Sequence, residues 1–303
     1  MASAETDLRA SYAACQQVAR EAGSNFHGSF LRLPREKRHA MDVLYAFMRH
    51  TDDLADSPEP AEQRREALNN WRTALDLVLR EGPSASLPGV DPRGEALLPA
   101  LAEVVARYGI PAHSLEMVID GVEMDLTRRR FETFDELVVY CEHVASAVGL
   151  ACIHIWGFSG PEALEPARQC GLALQWTNIL RDLAEDARED RIYLPMEDLR
   201  RFDYPSDGFL HGVADDRFRR LMALQLDRAE KFYREGAGLI DLLHPDGRRT
   251  FGIMMSVYRA LLEKIRRRPE AVLQKRLRLS RPHKLRIALR WMLRPSAREF
   301  GPL

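Results

Sequence analysis

The sequence predicts an all-α fold, and three observations carry that prediction. Apolar residues recur at i, i+3, i+4 and i+7 along almost the whole chain. No run of alternating apolar and polar residues bounded by turn signals reads as a strand. The breaks between periodic segments are where proline and glycine gather.

The first predicted helix covers 6–22 and ends near Gly23. Pro34 suits a first-turn position, where its missing N–H leaves no bond unmade, so a second helix follows over 35–54. The polar loop Ser57-Pro58-Glu59-Pro60 leads into a helix over 61–81. Gly82 to Gly94 holds three prolines and three glycines and is a clear break. Further helices are predicted over 94–108, 111–127 and 133–157. Gly160-Pro161 opens a long helix over 161–187. Beyond a loop around 188–213 come helices over 214–242, 246–267, 269–277 and 281–293. No composition shift, internal repeat or low-complexity tract divides the chain. The reading is therefore one domain, 1–303, a large helical bundle that holds a site in its core.

Composition bounds what such a bundle does. With 46% hydrophobic and 29% charged residues, 303 residues can bury a substantial core, which argues against a disordered chain. Lys+Arg 44 against Asp+Glu 45 gives a net charge of −1, so no global field recruits nucleic acid. The balance hides an asymmetry, because Lys264 to Glu299 contains thirteen Lys/Arg and two Asp/Glu. The four cysteines, Cys15, Cys141, Cys152 and Cys170, form no C-x-x-C pair and read as buried thiols in a reducing compartment. The polar, acidic N-terminus does not read as a secretory signal. The least charged stretch, Val144 to Phe158, is shorter than the ~20 apolar residues of a membrane span. These features place the chain in the cytoplasm, with peripheral contact on the inner face of the membrane as an added option.

Two segments carry chemistry. In Tyr45-Ala-Phe-Met-Arg49-His-Thr-Asp52-Asp53-Leu-Ala-Asp56, the residues Tyr45, Arg49, Asp52 and Asp56 fall at i, i+4, i+7 and i+11 on one helical face. In Gln175-Trp-Thr-Asn178-Ile-Leu-Arg181-Asp182-Leu-Ala-Glu185-Asp186, the residues Gln175, Asn178, Asp182 and Asp186 do the same at i, i+3, i+7 and i+11. Carboxylates at i and i+4 repel by roughly 0.2–0.5 kcal/mol on an isolated helix. The second stripe is flanked by Trp176, Ile179, Leu180 and Leu183, so its carboxylates sit on a helix that otherwise looks buried. The bland alternative is a solvated charged face. Two such helices facing each other would hold hard cations. Mg²⁺, with Mn²⁺ as a substitute, prefers oxygen ligands and shares carboxylates with substrate phosphates. No Cys/His cluster has zinc spacing, and neither a G-x-x-x-x-G-K-[ST] loop nor a G-x-G-x-x-G is present.

These two segments resemble the signatures of the squalene/phytoene synthases, which join prenyl diphosphates head to head. Leu44 to Asp56 is similar to the family's first aspartate motif, D-D-x-x-D with an upstream Y-A-x-x-R. Gln175 to Asp186, continuing to Arg191-Ile-Tyr-Leu-Pro195, is similar to its second signature, Q-x-T-N-I-x-R-D-x-x-E-D followed by R-x-Y-L-P. Ser24-Asn-Phe26 to Leu33-Pro34 and Tyr140-Cys-Glu-His-Val-Ala-Ser-Ala-Val-Gly149 match two further stretches, so the resemblance spans about 11–285. Two departures stand out. His27-Gly28 replaces an aromatic common after Ser-x-Phe, and Asp190 replaces a glycine common before the R-x-Y-L-P arginine, adding charge beside the cation site.

The resemblance implies an isoprenoid synthase bundle with a central cavity. It implies ionisation of one allylic diphosphate with Mg²⁺, attack by the double bond of a second, and a cyclopropylcarbinyl diphosphate as product. Asp52, Asp56, Asp182 and Asp186 would hold the metal, with Asn178 as a further ligand and Asp53 and Glu185 in support. Arg49, Arg181 and Arg276 would bind diphosphate, together with Tyr45, Gln175, Asn178, Tyr193 and Tyr258. Phe26, Val144, Val148, Gly149, Ala167 and Gly171 would line the hydrocarbon tunnel. On pattern alone, the small-residue faces of Val144, Ala145, Val148 and Gly149 and of Ala167 and Gly171 have close helix packing as their alternative. Two farnesyl diphosphates are the expected substrates, giving presqualene diphosphate or squalene, with NADPH needed only for squalene. The alternative within the class is phytoene from two geranylgeranyl diphosphates.

Leu285, Ala288, Leu289, Met292 and Leu293 share a helical face with arginines opposite, so the predicted 281–294 helix is basic and amphipathic. It reads either as a membrane-surface helix or as one packed on the bundle. A non-enzymatic helical protein binding membrane or nucleic acid through this segment is the rival of a different class, and it leaves both acidic stripes unexplained.

Overall fold

The computed structural model describes residues 2–21, 30 and 33–293. Among them every regular element is helical, as the sequence predicts, and an isolated parallel bridge joins Arg130 to Ile192. In chain order the α-helices are α1 (Ala2–Glu21), α2 (Arg35–Ala55), α3 (Ala61–Glu81), α4 (Pro92–Tyr108), α5 (Ala112–Thr127), α6 (Phe134–Cys141), α7 (Ala147–Trp156), α8 (Leu164–Arg188), α9 (Met196–Arg201), α10 (Gly208–His211), α11 (Asp216–Gly236), α12 (Leu239–Leu242), α13 (Pro245–Arg267) and α14 (Arg281–Leu293).

Several expected helices differ in detail. The one predicted over 133–157 is interrupted by a π-helical turn at Glu142–Ser146, which separates α6 from α7. The one predicted over 214–242 ends at Gly236, and α12 follows as a separate turn. The one predicted over 269–277 is a 3-10 turn, Pro269–Leu273. The loop expected around 188–213 contains α9 and α10. Helices of six and four residues are too short to show a 3.6-residue period, so periodicity cannot find them.

The chain divides into two compact units, each discontinuous in sequence. The first comprises Met1–Thr127, Leu150–Phe158 and His244–Thr250; the second comprises Arg128–Gly149, Ser159–Leu243 and Phe251–Leu303. Two of the divisions fall inside helices, and none falls at a shift in composition.

In the first unit α2 is central, packing against α1, α3, α4 and α5. Its buried face includes Met41, Val43, Leu44, Phe47 and Thr51. Phe47 stacks on Trp71 of α3 at 5.5 Å, and the Trp71 indole N–H donates to Thr51 Oγ1 at 2.9 Å. Pro99 lies inside α4, and α1 compensates there. The hydroxyl of Ser11 accepts the Ala100 N–H at 2.9 Å, which keeps that buried donor satisfied.

In the second unit α8 is central, packing against α11, α6 and the π turn. Its buried residues include Trp176, Thr177, Ile179, Leu180 and Leu183. Trp176 meets Phe134 and Phe232 at 5.4 and 5.6 Å, while Thr177 Oγ1 lies 3.0 Å from the Tyr233 hydroxyl. Buried Asp198 is gripped by Arg228 and accepts from Gln225 at 2.9 Å, and the same Arg228 guanidinium lies 4.2 Å from the Phe134 ring centre.

The run Phe134–Trp156, at 23 residues and a mean hydropathy of 1.5, is long and apolar enough to cross a membrane. Leu137, Tyr140, Ala147, Ala151, Ile153 and Ile155 are buried along it, which suits a core helix.

The π turn fits because α8 carries a glycine where it passes. A Cβ on Gly171 would stand 2.5 Å from Ser146 Cα and 2.8 Å from the Ala145 carbonyl oxygen, both backbone atoms. Gly171→Ala should therefore destabilise the protein by about 1–3 kcal/mol, as overpacking does. Gly238→Ala meets nothing within 4 Å. It should shift stability by less than ~0.5 kcal/mol. Urea unfolding of the two variants beside wild type checks both values.

Candidate active site

The first acidic stripe occupies the C-terminal end of α2. Asp52 and Asp53 lie in its last turn, Asp56 is its C-cap, and no basic residue occupies that turn. Carboxylates there face the negative end of the helix dipole, typically unfavourable by about 0.3–1 kcal/mol each. Asp52 keeps exposed surface but is crowded by protein, and its carboxyl is raised to about 7. Desolvation is the largest cause; Asp56, Asp125 and Asp53 push the same way, and Arg49 opposes them. Asp53 has a different environment. Its Oδ1 lies 2.5 Å from an Arg49 nitrogen and its Oδ2 accepts from Arg93 at 2.7 Å, so both oxygens are engaged by guanidinium groups. Half-buried Tyr45 lies one turn before Arg49 on the same face.

Behind this stripe, His50 is buried against the Trp71 edge, with ring centres 4.6 Å apart. Its Nε2 lies 3.1 Å from Asp91 Oδ2, while Asp91 Oδ1 caps α4 by accepting the Arg93 and Gly94 N–H groups. Burial lowers the His50 pKa. The α4 N-terminus is thereby tied to α2 where Arg93 reaches Asp53.

The second stripe occupies the C-terminal half of α8. Trp176, Thr177, Ile179, Leu180 and Leu183 turn inward and leave Gln175, Asn178, Asp182 and Asp186 half-buried on the other side. Both oxygens of Asp182 are held. Arg181 grips the carboxylate with two nitrogens, and Arg276 Nε and an Arg276 terminal nitrogen lie 3.0 and 3.2 Å from the same oxygens. Arg276 also reaches Glu185 at 3.3 Å. Asp186 is raised to about 7, by desolvation first and then by Asp182, against the pull of Arg191. Tyr258 is buried beside Asn178 and Arg181, and burial raises its hydroxyl pKa. Tyr193 stacks with Tyr140 at 5.4 Å and Phe131 at 5.9 Å, in the segment where the Arg191 N–H returns to the Asp186 carbonyl at 2.9 Å.

The donor set fits a hard cation. Every candidate ligand offers oxygen, as Mg²⁺ requires. The Oδ1 of Asn178 is buried without a hydrogen-bond partner, a costly state that a cation would relieve. Among the described residues no three His, Cys, Asp or Glu side chains converge on one point. A bound Mg²⁺ would therefore take its remaining ligands from water and substrate phosphate, its usual practice.

The tunnel candidates separate. Val144, Val148 and Gly149 are half-buried, as is Ala145 beside them, and form a partly open apolar surface. Gly171 is a correction. Ala167 and Gly171 are both buried, and the space beside Gly171 is filled by the backbone of Ser146. At Gly171 the small size permits close helix packing and leaves no room for a hydrocarbon chain. Phe26 lies outside the described residues.

Sequence reasoning missed Arg93 and Asp125. Arg93 belongs to the first turn of α4, following a Pro/Gly-rich loop, and no spacing links it to Asp53. Asp125 signals itself faintly, as a half-buried carboxylate on α5. The departure at Asp190 has a local explanation. Its φ is 57°, the left-handed conformation that glycine adopts at little cost. Its carboxylate lies 2.6 Å from an Arg130 nitrogen, which offsets the added charge.

Both signatures lie within the residues that the model of a known family matches. The model of the family described as squalene/phytoene synthase matches residues 19–283. A phytoene synthase of Arthrospira platensis is 34% identical over 279 residues, covering 88% of this chain and 87% of the relative. A phytoene synthase of Mycobacterium bovis is 34% identical over 286 residues, covering 93% and 91%. The crystal structure of a squalene synthase from Alicyclobacillus acidocaldarius is 28% identical with a TM-score of 0.78, covering 86% of this chain and 95% of that one. A dehydrosqualene synthase structure, 24% identical with a TM-score of 0.79 and covering 96% and 98%, supports the fold alone. The chain belongs to the squalene/phytoene synthase family and is a prenyltransferase of the head-to-head class.

Proposed function

We propose that this enzyme condenses two twenty-carbon geranylgeranyl diphosphates, through a cyclopropylcarbinyl diphosphate, to phytoene. The observation that carries the substrate length is the identity, 34% across about nine-tenths of both chains, with relatives named phytoene synthase. The farnesyl preference expected from the sequence gains no support from these relatives. It stays as a second reading because a named squalene synthase structure is 28% identical.

When bound, Mg²⁺ supplies Lewis-acid neutralisation of the departing diphosphate. At the end of α2, Asp52 and Asp56 would hold a cation, and on α8 Asn178, Asp182 and Asp186 would hold one of their own. Arg49, Arg181 and Arg276 already grip carboxylates, and their guanidinium forks suit diphosphate oxygens equally well. Gln175, Tyr45, Tyr193 and Tyr258 add polar contacts around the same groups. The half-exposed Val144, Ala145, Val148 and Gly149 offer a carbocation an apolar wall without nucleophiles.

Incubation of purified enzyme with Mg²⁺ and each diphosphate, followed by mass spectrometry, tests the reading. Phytoene from the twenty-carbon substrate, without NADPH, is the expected product. Presqualene diphosphate or squalene from farnesyl diphosphate as the main product overturns the substrate assignment while keeping the chemistry. Asp182→Asn should lower kcat by at least about 10–100-fold, the loss that follows even when only a group supporting a metal ligand is removed. Wild-type turnover in that variant would remove Asp182 from the site.

The two raised carboxyls also set a stability rule for metal-free protein. Asp186 has a folded pKa near 7 against an ordinary value of 3.8. The folded state thus binds the proton more tightly than the unfolded chain, and this contribution is lost as pH rises from about 4 to 7. In EDTA at pH 8, Asp186→Asn should melt above wild type, by about 2 °C for ~1 kcal/mol of relieved repulsion. Excess Mg²⁺ should erase or reverse that order. Equal melting temperatures in EDTA would show that the carboxylate is not strained.

A further inference from the structure

We infer that α14 is a docking face for an anionic lipid bilayer. Amphipathicity alone leaves the direction of its apolar face open, and the structure supplies it. Leu285, Leu289 and Met292, at i, i+4 and i+7, are 60%, 46% and 39% exposed. They are three of the six exposed large hydrophobic side chains among the described residues, on a helix of thirteen. The opposite face anchors the helix. Trp291 is 1% exposed, its indole N–H donates to Ser256 Oγ at 2.8 Å, and its ring fills the space where a Cβ on Gly252 would stand. The apolar stripe is therefore not the surface that packs on α13.

Charge chooses the occupant. Arg281 and Arg286 are exposed and flank the stripe on the helix surface. The helix carries four Lys/Arg, Arg281, Lys284, Arg286 and Arg290, and no Asp or Glu. Exposed leucines within a strongly basic surround match headgroups that carry negative charge above an apolar interior. A nucleic acid would use the arginines and leave the leucines in water. A second copy of this chain would bring the same positive charge against itself.

Co-sedimentation of the full chain with vesicles tests the inference without substrate, so its failure is separate from failure of the catalytic reading. Binding to phosphatidylglycerol-rich vesicles should exceed binding to pure phosphatidylcholine at least tenfold and should weaken with added salt. Leu285→Gln with Leu289→Gln should lower partitioning at least tenfold and leave turnover of detergent-dispersed substrate unchanged. Arg286→Glu, which keeps the apolar stripe, should lower partitioning into the anionic vesicles and serves if the double variant does not fold. The inference is overturned if wild type ignores anionic vesicles or if all variants partition equally. It is also overturned if light scattering shows a wild-type dimer that the leucine substitutions dissociate, since a second copy then covers the stripe.

Discussion

Carboxylates crowded at the C-terminal end of a helix raise its free energy, and both units of this chain place their carboxylates there. Asp52, Asp53 and Asp56 end α2, and Asp182, Glu185 and Asp186 end α8. Burial desolvates Asp52 and Asp186, repulsion from neighbouring carboxylates adds to it, and the helix dipole also disfavours carboxylates at that end. The raised carboxyls of Asp52 and Asp186 are the outcome. Each unit contains the cost in the same way. Guanidinium groups occupy some of the oxygens, Arg49 and Arg93 at Asp53, Arg181 and Arg276 at Asp182.

Such an arrangement needs a rigid support, and the acidic helix is the central helix of each unit. α2 is held by Phe47, Thr51 and Trp71, and α8 by Trp176, Thr177 and Tyr233. In both places an indole packs in the core while a threonine hydroxyl joins a polar hydrogen of a neighbouring helix to the stripe's own helix. The carboxylates are thus fixed by the apolar side of the helix that carries them. The local repulsion cannot be relieved by a small rotation without breaking those aromatic contacts.

The two stripes were legible because their information lies within one helix, where spacing alone decides which residues share a face. Within Gln175 to Asp186 the stripe shares one face of α8 for this reason, and Arg191 to Pro195 lies beyond the helix end. Contacts between segments distant in sequence were not legible. Arg93 reaches Asp53 across forty residues, and nothing in either segment announces it. The π turn at Glu142–Ser146 also escapes periodicity, because one wide turn barely shifts the pattern on either side. Its only trace is a glycine at 171, read instead as room for a hydrocarbon. Small residues carry that ambiguity by nature. The same missing side chain leaves a void or admits a backbone, and only the neighbour decides.

Asp190 and α14 extend the argument from absence of side chain to direction. At Asp190 the sequence departs from glycine, yet the backbone keeps the left-handed φ of 57° that glycine makes easy. The chain tolerates this because Arg130 binds both the backbone carbonyl and the carboxylate of the same residue. On α14 the apolar residues define a stripe, but a stripe has no sign. One buried indole, Trp291 in the hollow beside Gly252, turns the helix so that Leu285, Leu289 and Met292 point away from the protein. A single large side chain with a cavity shaped for it outweighs three leucine-sized ones without such a cavity. The reason is that dispersion and desolvation are gained together only where packing is complete.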